Sequence, residues 1–435
     1  MLRRRLRLRR RLRLRHHLRV LNASTILVAL AIDARAATDQ YLASVPPDVR
    51  ARSDAYFEGG YWIRLWGTLI TIALMWLLLH TGLSPRMRDA AARVTRYRAL
   101  QVALYWVMFF TLTTLVTSPW NIYTDFLREH QYGLATQTFG AWLGDQAKAF
   151  GLGLIIGALA LTGLYAVLRR FTRTWWIWGA VFLLLLQVVV ATVFPVFIAP
   201  IFNTYTRLED PALRARILSI ARANGIAANE VWQSDASRQT TRISANVSGM
   251  LGTERITLND NLLKRCSPAC VEAVMGHEMG HYVLNHVYEM LLALGIVTVV
   301  GFAVAQWAFD RLRRPHEARW RVEGIADPAG LPILILLLTV YGFVMSPIVN
   351  TIIRTNEQEA DSFGLNAAGQ PDGFAEAALK LAEYRKLDPG QWEEWIFYDH
   401  PSGRTRIYTA MVWKQEQQPD RRPDSASATS PPPQR

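Results

Sequence analysis

The sequence has 435 residues, of which 51% are hydrophobic and 19% charged, and its formal net charge is +13. The hydrophobic residues fall in long blocks rather than at the spacings of two or 3.6 residues seen in soluble proteins, which argues against a chain of soluble domains. The positive charge does not indicate nucleic-acid binding. Ten arginines lie within the first nineteen residues, and many others lie in short loops between the blocks, a placement typical of membrane orientation.

The first 36 residues form a basic N-terminal region that fits two interpretations. Residues 1–19 alternate Leu and Arg, residues 20–32 are weakly apolar, and Ala34-Arg35-Ala36 follows. Basic, apolar and small residues in this order are typical of a signal peptide. The same apolar run also fits a first, short membrane helix, and the residues after it do not decide between the two.

Six stronger apolar segments follow in the chain. Most have about 18 residues or more, enough to cross about 30 Å of hydrocarbon at about 1.5 Å per residue. With the N-terminal run they predict a mainly α fold, a multi-pass transmembrane helical bundle of about seven segments. The six segments are residues 62–82, 101–118, 150–168, 175–198, 288–309 and 331–353.

Arginines in the short loops predict the orientation of this bundle. Loops rich in arginine follow the first, third and fifth of the six segments, at residues 86–98, 169–173 and 311–321. The loops on the other side, at 37–60 and 121–146, contain few. Basic loops stay in the cytoplasm, which here would be that of a bacterial cell with this protein in its inner membrane. The long segments 201–287 and 354–435 are therefore expected on the opposite, extracytoplasmic face.

The segment 201–287 reads as a small folded α+β unit. Asp210 and Pro211 mark the start of a helix, as N-cap and first-turn proline, and Gly225 marks its end. Ser267 and Pro268 start a second helix in the same way. Alternating β-prone runs between these helices predict a small antiparallel sheet, with Gly249 and Gly252 at a turn. The runs cover residues 230–234, 240–248 and 254–258.

The second helix contains the sequence His277-Glu278-Met279-Gly280-His281. Residues four apart share a helix face, so His277 and His281 can bind one metal ion. Glu278 is offset by about 100° and is placed to act as general base on a metal-activated water. Gly276 and Gly280 are poor helix formers, which predicts that another backbone approaches closely here.

A catalytic zinc needs a third protein ligand, and acidic residues after the last apolar segment offer one. Glu357 and Asp361 lie four apart on one helix face, so one can bind the metal while the other orients a ligand histidine. Spacing alone does not choose between Glu357 and Glu359. Cys266 and Cys270 imply no disulfide framework; they read as two small buried residues, or as a local disulfide if their face is oxidising.

These motifs together resemble the CAAX prenyl protease 1 family of zinc metallopeptidases, peptidase family M48. The resemblance extends from about residue 40 to 413. Its most specific parts are the histidine motif with the following Asn-His pair and the downstream Glu-x-x-Ala-Asp, and the weaker parts lie upstream and near the end of the chain. The matching pieces are residues 277–281 with Asn285-His286, Arg354 with Glu357 and Ala360-Asp361, His400-Pro401 with Arg406-Ile407, 45–47 and 194–203.

The resemblance implies particular roles for these residues. Glu357 would be the third ligand of one Zn²⁺ per chain, Asp361 its companion, and Arg406 a residue on the substrate or oxyanion side. His286 would face the active site and its substrate, or sit where its helix approaches the membrane, and His400 would face the substrate. In the family, substrate is thought to lie along an edge strand, here near Ser244, where the family has Asn; Asn246 lies two residues on. The membrane helices would surround a chamber with the zinc site at one end, in a zincin-like catalytic domain.

The predicted function is an integral-membrane zinc metalloendopeptidase acting on membrane-associated or CAAX-type polypeptides. Alternatives are a membrane-protein quality-control protease, or a non-catalytic scaffold stabilised by zinc. Eukaryotic members of the family work toward the cytosol, whereas the loop charges here place the catalytic segments outside. The predicted partners are a polypeptide substrate and the bilayer, without nucleic acid; the oligomeric state is not predicted.

The predicted domains are an N-terminal region (1–36), a membrane-helix domain (37–200), a metallopeptidase domain (201–414) interrupted by helices 288–309 and 331–353, and a disordered tail (415–435).

Overall fold

The structure, a computed structural model, describes residues 33–248 and 255–417, which are mainly helical. Its α-helices are α1 (Ala34–Ala43), α2 (Pro47–His80), α3 (Leu83–Val94), α4 (Arg98–Ile122), α5 (Arg128–Gln131), α6 (Phe139–Arg170), α7 (Trp175–Val193), α8 (Ala199–Phe202), α9 (Pro211–Ala223), α10 (Asp260–Arg265), α11 (Pro268–Val283), α12 (His286–Arg313), α13 (Glu317–Trp320), α14 (Leu331–Ala368), α15 (Pro371–Leu381), α16 (Gln391–Phe397) and α17 (Gly403–Gln417). Its strands are β1 (Tyr205–Arg207), β2 (Val231–Ser234), β3 (Ala245–Ser248) and β4 (Arg255–Asn259).

Six helical stretches in the described part of the chain are long and apolar enough to cross a membrane. Each overlaps one of the six apolar segments predicted from the sequence, and each is longer than that segment. They are Pro47–His80, Arg98–Gln131, Phe139–Arg170, Trp175–Phe202, His286–Trp320 and Pro328–Ala368. The prediction of a mainly helical membrane bundle with a small α+β unit is confirmed, with six such helices rather than seven among these residues.

Three predictions fall wholly or partly outside the described residues. The choice between signal peptide and membrane helix concerns residues 20–32, and the turn at Gly249 and Gly252 lies in the second undescribed stretch. The predicted disordered tail begins too early, because residues 415–417 continue α17. The rest of that tail lies outside the described residues.

The membrane helices are joined at one end by buried polar contacts. Arg88 of α3 forms an ion pair of 2.6 Å with Asp327, which lies just before the last membrane helix. The hydroxyl of Ser84 donates to the carbonyl oxygen of Ala329 at 2.8 Å and contacts the Tyr105 hydroxyl. Because buried polar groups need partners, these bonds hold α3, α4 and the turn before α14 together.

The sheet is mixed, so the prediction of an antiparallel sheet is wrong. Its strand order is β1-β2-β4-β3, with β2 and β4 parallel and the other two pairs antiparallel. The chain between β2 and β3 crosses to the far side of β4 instead of returning beside β2, and β4 then pairs with β2 in the parallel direction. Hydrogen bonds from Thr241 N to Leu134 O and from Asn261 Nδ2 to Thr240 O fix this crossing. As a result β3 is an edge strand.

The helix starts predicted from the sequence are present. Asp210 caps α9, its Oδ1 accepting from the backbone N–H groups of Ala212 and Leu213, and Gly225 follows the helix with φ of 75°. Ser267 caps α11 by accepting from Cys270 N at 3.1 Å. A side-chain cap satisfies N–H groups that otherwise lack partners at a helix start. These caps fix where α11, which carries the histidine motif, begins.

Candidate active site

Close backbone packing brings α11 and α14 together. A Cβ added to Gly276 would lie 3.0 Å from the carbonyl oxygen of Gly364, and one added to Gly280 would lie 3.1 Å from the Cα of Ala360. A Cβ added to Gly364 would lie 2.7 Å from the backbone nitrogen of His277. The close approach predicted from Gly276 and Gly280 is confirmed. It offsets the poor helix propensity of glycine and places the acidic end of α14 against the two histidines.

The change Gly364→Ala tests this packing. The added methyl group meets backbone that cannot swing aside, so we expect a loss of about 1–3 kcal/mol in stability and a fall in metal affinity as the helices separate. Thermal unfolding in detergent and metal content measure the two effects. Gly342→Ala is the matched control, since it lies on the same helix with no atom within 4 Å of an added Cβ; equal losses in both variants would contradict the packing argument.

Three side chains converge between these helices. Nε2 of His277 lies 3.1 Å from Nε2 of His281. The Glu357 carboxylate lies 3.3 Å from His277 Nε2 and 3.4 Å from His281 Nε2. His277 and Glu357 are buried. Two imidazole nitrogens and one carboxylate oxygen from these residues could hold a metal ion, because all three ligand atoms lie within 4.8 Å of one another.

The donor set fits a cation better than a hydrogen-bonded cluster. Oε2 of Glu357 is buried and accepts no hydrogen bond from any described residue, although nitrogens of His277 and His400 lie 3.3 Å away. An unpaired buried carboxylate oxygen is costly. A divalent ion bound by all three residues would remove that cost, and His₂Glu is a ligand set of catalytic zinc sites.

Asp361 and Arg406 support His277 from behind. Nδ1 of His277 donates to Asp361 Oδ1 at 2.8 Å, which leaves Nε2 free toward the site. Arg406 Nε donates to Asp361 Oδ2 at 2.9 Å, and its Nη2 contacts Oδ1. Both Asp361 and Arg406 are buried, and Arg406 also reaches the cavity wall. The ion pair neutralises two buried charges and fixes the ring of His277.

Glu278 lies in the same cavity, next to the two histidines. Burial raises the pKa of the Glu278 carboxyl, while nearby His277 and His281 act in the opposite direction. A raised pKa suits a carboxylate that must take up a proton near neutral pH. The cavity has a volume of about 260 Å³. Its walls are formed by Ile243, Ser244, Ala245, Val274, His277, Glu278, His281, Glu357, Phe374, Ala377, Ala378, Leu381, Tyr384, Arg385, His400 and Arg406.

His286 and Glu359 support His281 in the way that Asp361 supports His277. His281 Nδ1 lies 2.9 Å from His286 Nδ1, and His286 Nε2 lies 3.4 Å from Glu359 Oε2. His286 is buried and is absent from the cavity wall, so it contacts the site through His281 alone. Glu359 points away from the site. Of the two glutamates that spacing left open as third ligand, only Glu357 therefore faces the histidines.

The structure brings together most of the site residues predicted from the sequence. Ser244 lines the cavity beside the edge strand, whereas Asn246 is exposed on β3 and does not line it. His400 lines the cavity, and its Nδ1 lies 2.8 Å from Asp399 Oδ1. Burial lowers the pKa of His400, which favours its neutral form. The sequence did not single out Asp399, Tyr384 or Arg385, because no spacing pattern links them to the histidine motif.

A membrane-helix bundle with two helix-borne histidines, a distant glutamate and a buried carboxyl in one cavity defines a membrane metallopeptidase. Comparison with known proteins agrees. Residues 34–204 match the family model for the CAAX prenyl protease N-terminal region with five membrane helices, and residues 207–414 match peptidase family M48. The chain belongs to peptidase family M48, and it is a metalloprotease of the membrane.

Individual relatives cover most of the chain. An uncharacterized metalloprotease of Bacillus subtilis (strain 168), YhfN, is 30% identical over 351 residues, covering 80% of this chain and 81% of that protein. CAAX prenyl protease 1 of Saccharomyces cerevisiae is 29% identical over 322 residues, covering 70% and 71%. The crystal structure of S. mikatae Ste24p has the same fold, with a TM-score of 0.71 at 24% identity and coverage of 84% and 89%.

Proposed function

We propose that this protein is a zinc endopeptidase that cleaves membrane-associated or lipid-modified polypeptides. The observation that carries the proposal is the convergence of His277, His281 and Glu357 in one cavity with Glu278 beside them. His₂Glu leaves one coordination position open, which is what a hydrolytic zinc requires and a closed structural zinc does not. The name of the yeast relative points to prenylated substrates. Glu357 lies on one membrane-capable helical stretch, and His286 behind His281 begins another, which suits a substrate held at the bilayer.

When bound, Zn²⁺ acts as a Lewis acid toward the scissile carbonyl group and the attacking water. Glu278 then has two tasks. Its carboxylate takes a proton from the water as the oxygen attacks the carbonyl carbon, and it gives that proton to the leaving amine nitrogen as the C–N bond breaks. The raised pKa of Glu278 suits both transfers. The contacts of His277 Nδ1 with Asp361 and of His281 Nδ1 with His286 orient the two rings, so that both Nε2 atoms face the site and would bind the ion.

Two further features suit an extended peptide. β3 is an edge strand whose first residue, Ala245, borders the cavity, so a substrate can add to it by backbone hydrogen bonds. His400 also lines the cavity; its Nδ1 is held by Asp399, and its Nε2 lies on the side of Glu357. Ser244 and His400 would thus both contact the substrate. Arg406 would stabilise the cavity wall through its ion pair with Asp361.

Removing the metal tests its identity and its role. We expect a chelator to abolish cleavage of a reporter peptide and stoichiometric Zn²⁺ to restore it. We also expect Glu357→Gln to lose the zinc-binding site between the two histidines. That variant removes a ligand and should bind zinc at least about tenfold more weakly. Metal analysis of the purified protein and activity after re-addition measure both; full activity in metal-depleted protein would contradict the proposal.

We also propose that the catalytic face is extracytoplasmic, in a bacterial inner membrane. The arginine-rich loops meet at one end of the bundle, where Arg88, Arg98 and Arg169 line a single cavity of about 560 Å³. Arg321 of the third basic loop pairs with Asp89 at the same end. Basic loops remain in the cytoplasm. A reporter fused to the C-terminus should therefore be active only if it works outside the cytoplasm; a cytoplasmic signal would reverse the orientation.

The natural substrates can be found from their products. We expect membrane polypeptides that are shortened in parent cells to persist at full length in cells carrying Glu278→Gln. Mass spectrometry of chain termini in the two strains identifies them and the residues around each cleaved bond. Identical terminal peptides in both strains would contradict the assignment of Glu278.

A further inference from the structure

The only two cysteines of the sequence meet a carboxylate at the start of the catalytic helix. Cys266 and Cys270 are free thiols. Their sulfur atoms and a carboxylate oxygen of Glu376 all lie within 4.8 Å of one another. None of the three residues lines the catalytic cavity. The cluster is therefore a second group of metal-ligating side chains, separate from the histidine site.

The fold builds this cluster from two elements. Cys266 directly follows the last residue of α10, and Cys270 lies in the first turn of α11, which Ser267 caps. Glu376 comes from α15. The start of α15 presses directly on α11, because a Cβ on Gly373 would collide with the carbonyl group of Ala269. This close contact holds Glu376 beside the two thiols.

Glu376 is oriented by hydrogen bonds that leave room for a cation. The backbone N–H of Ser267 donates to its Oε1 at 2.9 Å, and the Ser267 hydroxyl contacts Oε2. A carboxylate has about four lone-pair sites, so two remain after these bonds. Hydrogen bonds that fix a ligand carboxylate are typical of metal sites.

Thiolate is the form of cysteine that binds metals, so a cation at this cluster would take the place of the thiol protons.

We propose that Cys266, Cys270 and Glu376 form a second metal site, which takes a thiophilic divalent cation such as Zn²⁺ with water as fourth ligand. Two sulfur ligands and one oxygen ligand suit zinc in tetrahedral geometry. Binding releases the thiol protons, and the ion links the junction of α10 and α11 to α15. A disulfide between the thiols is the competing outcome, and it would leave Glu376 with its hydrogen bonds to Ser267 alone.

Cobalt substitution tests the site without reference to proteolysis. The full-length protein, reduced and held in detergent micelles, is titrated with Co²⁺. Because the catalytic site contains no sulfur, a thiolate-to-cobalt charge-transfer band in the near ultraviolet reports on Cys266 and Cys270 alone. We expect two Co²⁺ per chain and this band. Cys266→Ala and Cys270→Ala should each remove the band and lower the stoichiometry to one, and Glu376→Gln should weaken binding of the second ion.

Control variants separate this proposal from the catalytic one. His281→Ala should lose the catalytic ion but keep the charge-transfer band. In each cysteine variant, the remaining d–d absorption of cobalt at the histidine site shows that α11 is folded. One Co²⁺ per chain without the band would overturn the second site. A Cys266–Cys270 disulfide found by mass spectrometry, in protein isolated without reductant and with free thiols blocked, would also overturn it.

Discussion

Replacing Glu278 by glutamine should lower kcat for peptide cleavage by about 10²–10⁴-fold, the usual contribution of general acid–base catalysis, with the metal retained. Glutamine has nearly the same shape but takes up no proton at neutral pH. Glu278 is adjacent to the ligands without being one of the three groups that converge. The loss should therefore appear in turnover and leave metal content unchanged.

Metal analysis and single-turnover cleavage of a reporter peptide measure the two quantities separately. Glu230→Gln is the matched control: it makes the same change in the same folded unit, at a carboxylate 3.7 Å from Arg207 on the surface. That variant should keep full turnover. Normal cleavage by Glu278→Gln would mean that another group moves the proton. Loss of both metal and turnover would mean that Glu278 holds the ion rather than acting as base.

The sequence predicted most reliably what local spacing determines. His277 and His281 share a helix face because they are four residues apart, and Ser267 with Pro268 marks where that helix begins. The lengths of the apolar segments predicted the membrane helices in the same way. The close contact of α11 with α14 was also foreseeable, since Gly276 and Gly280 make sense in a helix only where another backbone approaches.

Long-range pairing was harder to predict. Spacing left Glu357 and Glu359 equal, and the family resemblance favoured Glu357; in the structure Glu359 faces His286 instead. The parallel pairing of β2 with β4 depends on a chain crossing held by contacts to Leu134, far away in the sequence. Tyr384 and Arg385 reach the cavity from the region after α15, and Asp399 contacts His400 in its wall. No periodicity marks these three residues. Tertiary packing decides such positions, and local patterns do not contain that information.

Replacing Asp361 by asparagine should cost both stability and metal affinity. Asp361 and Arg406 have relative exposures of 3% and 8%, so the change leaves a buried guanidinium group without its counter-charge. Breaking a buried ion pair by removing one partner costs about 3–5 kcal/mol. Asp361 also accepts the Nδ1 proton of His277. Loss of such a bond behind a ligand typically weakens metal binding by about 10–100-fold.

Asp372→Asn separates these effects from a general loss of charge. Asp372 pairs with Lys414 on the surface, where its side chain is 55% exposed, and exposed pairs contribute about 1 kcal/mol or less. Thermal unfolding in detergent and competition with a zinc indicator measure both variants. If Asp361→Asn unfolded like Asp372→Asn and bound zinc like the parent, Arg406 would have found another partner, and Asp361 would have no role in positioning His277. We expect instead that only Asp361→Asn fails on both measurements, because one carboxylate neutralises the arginine and orients the ligand histidine at the same time.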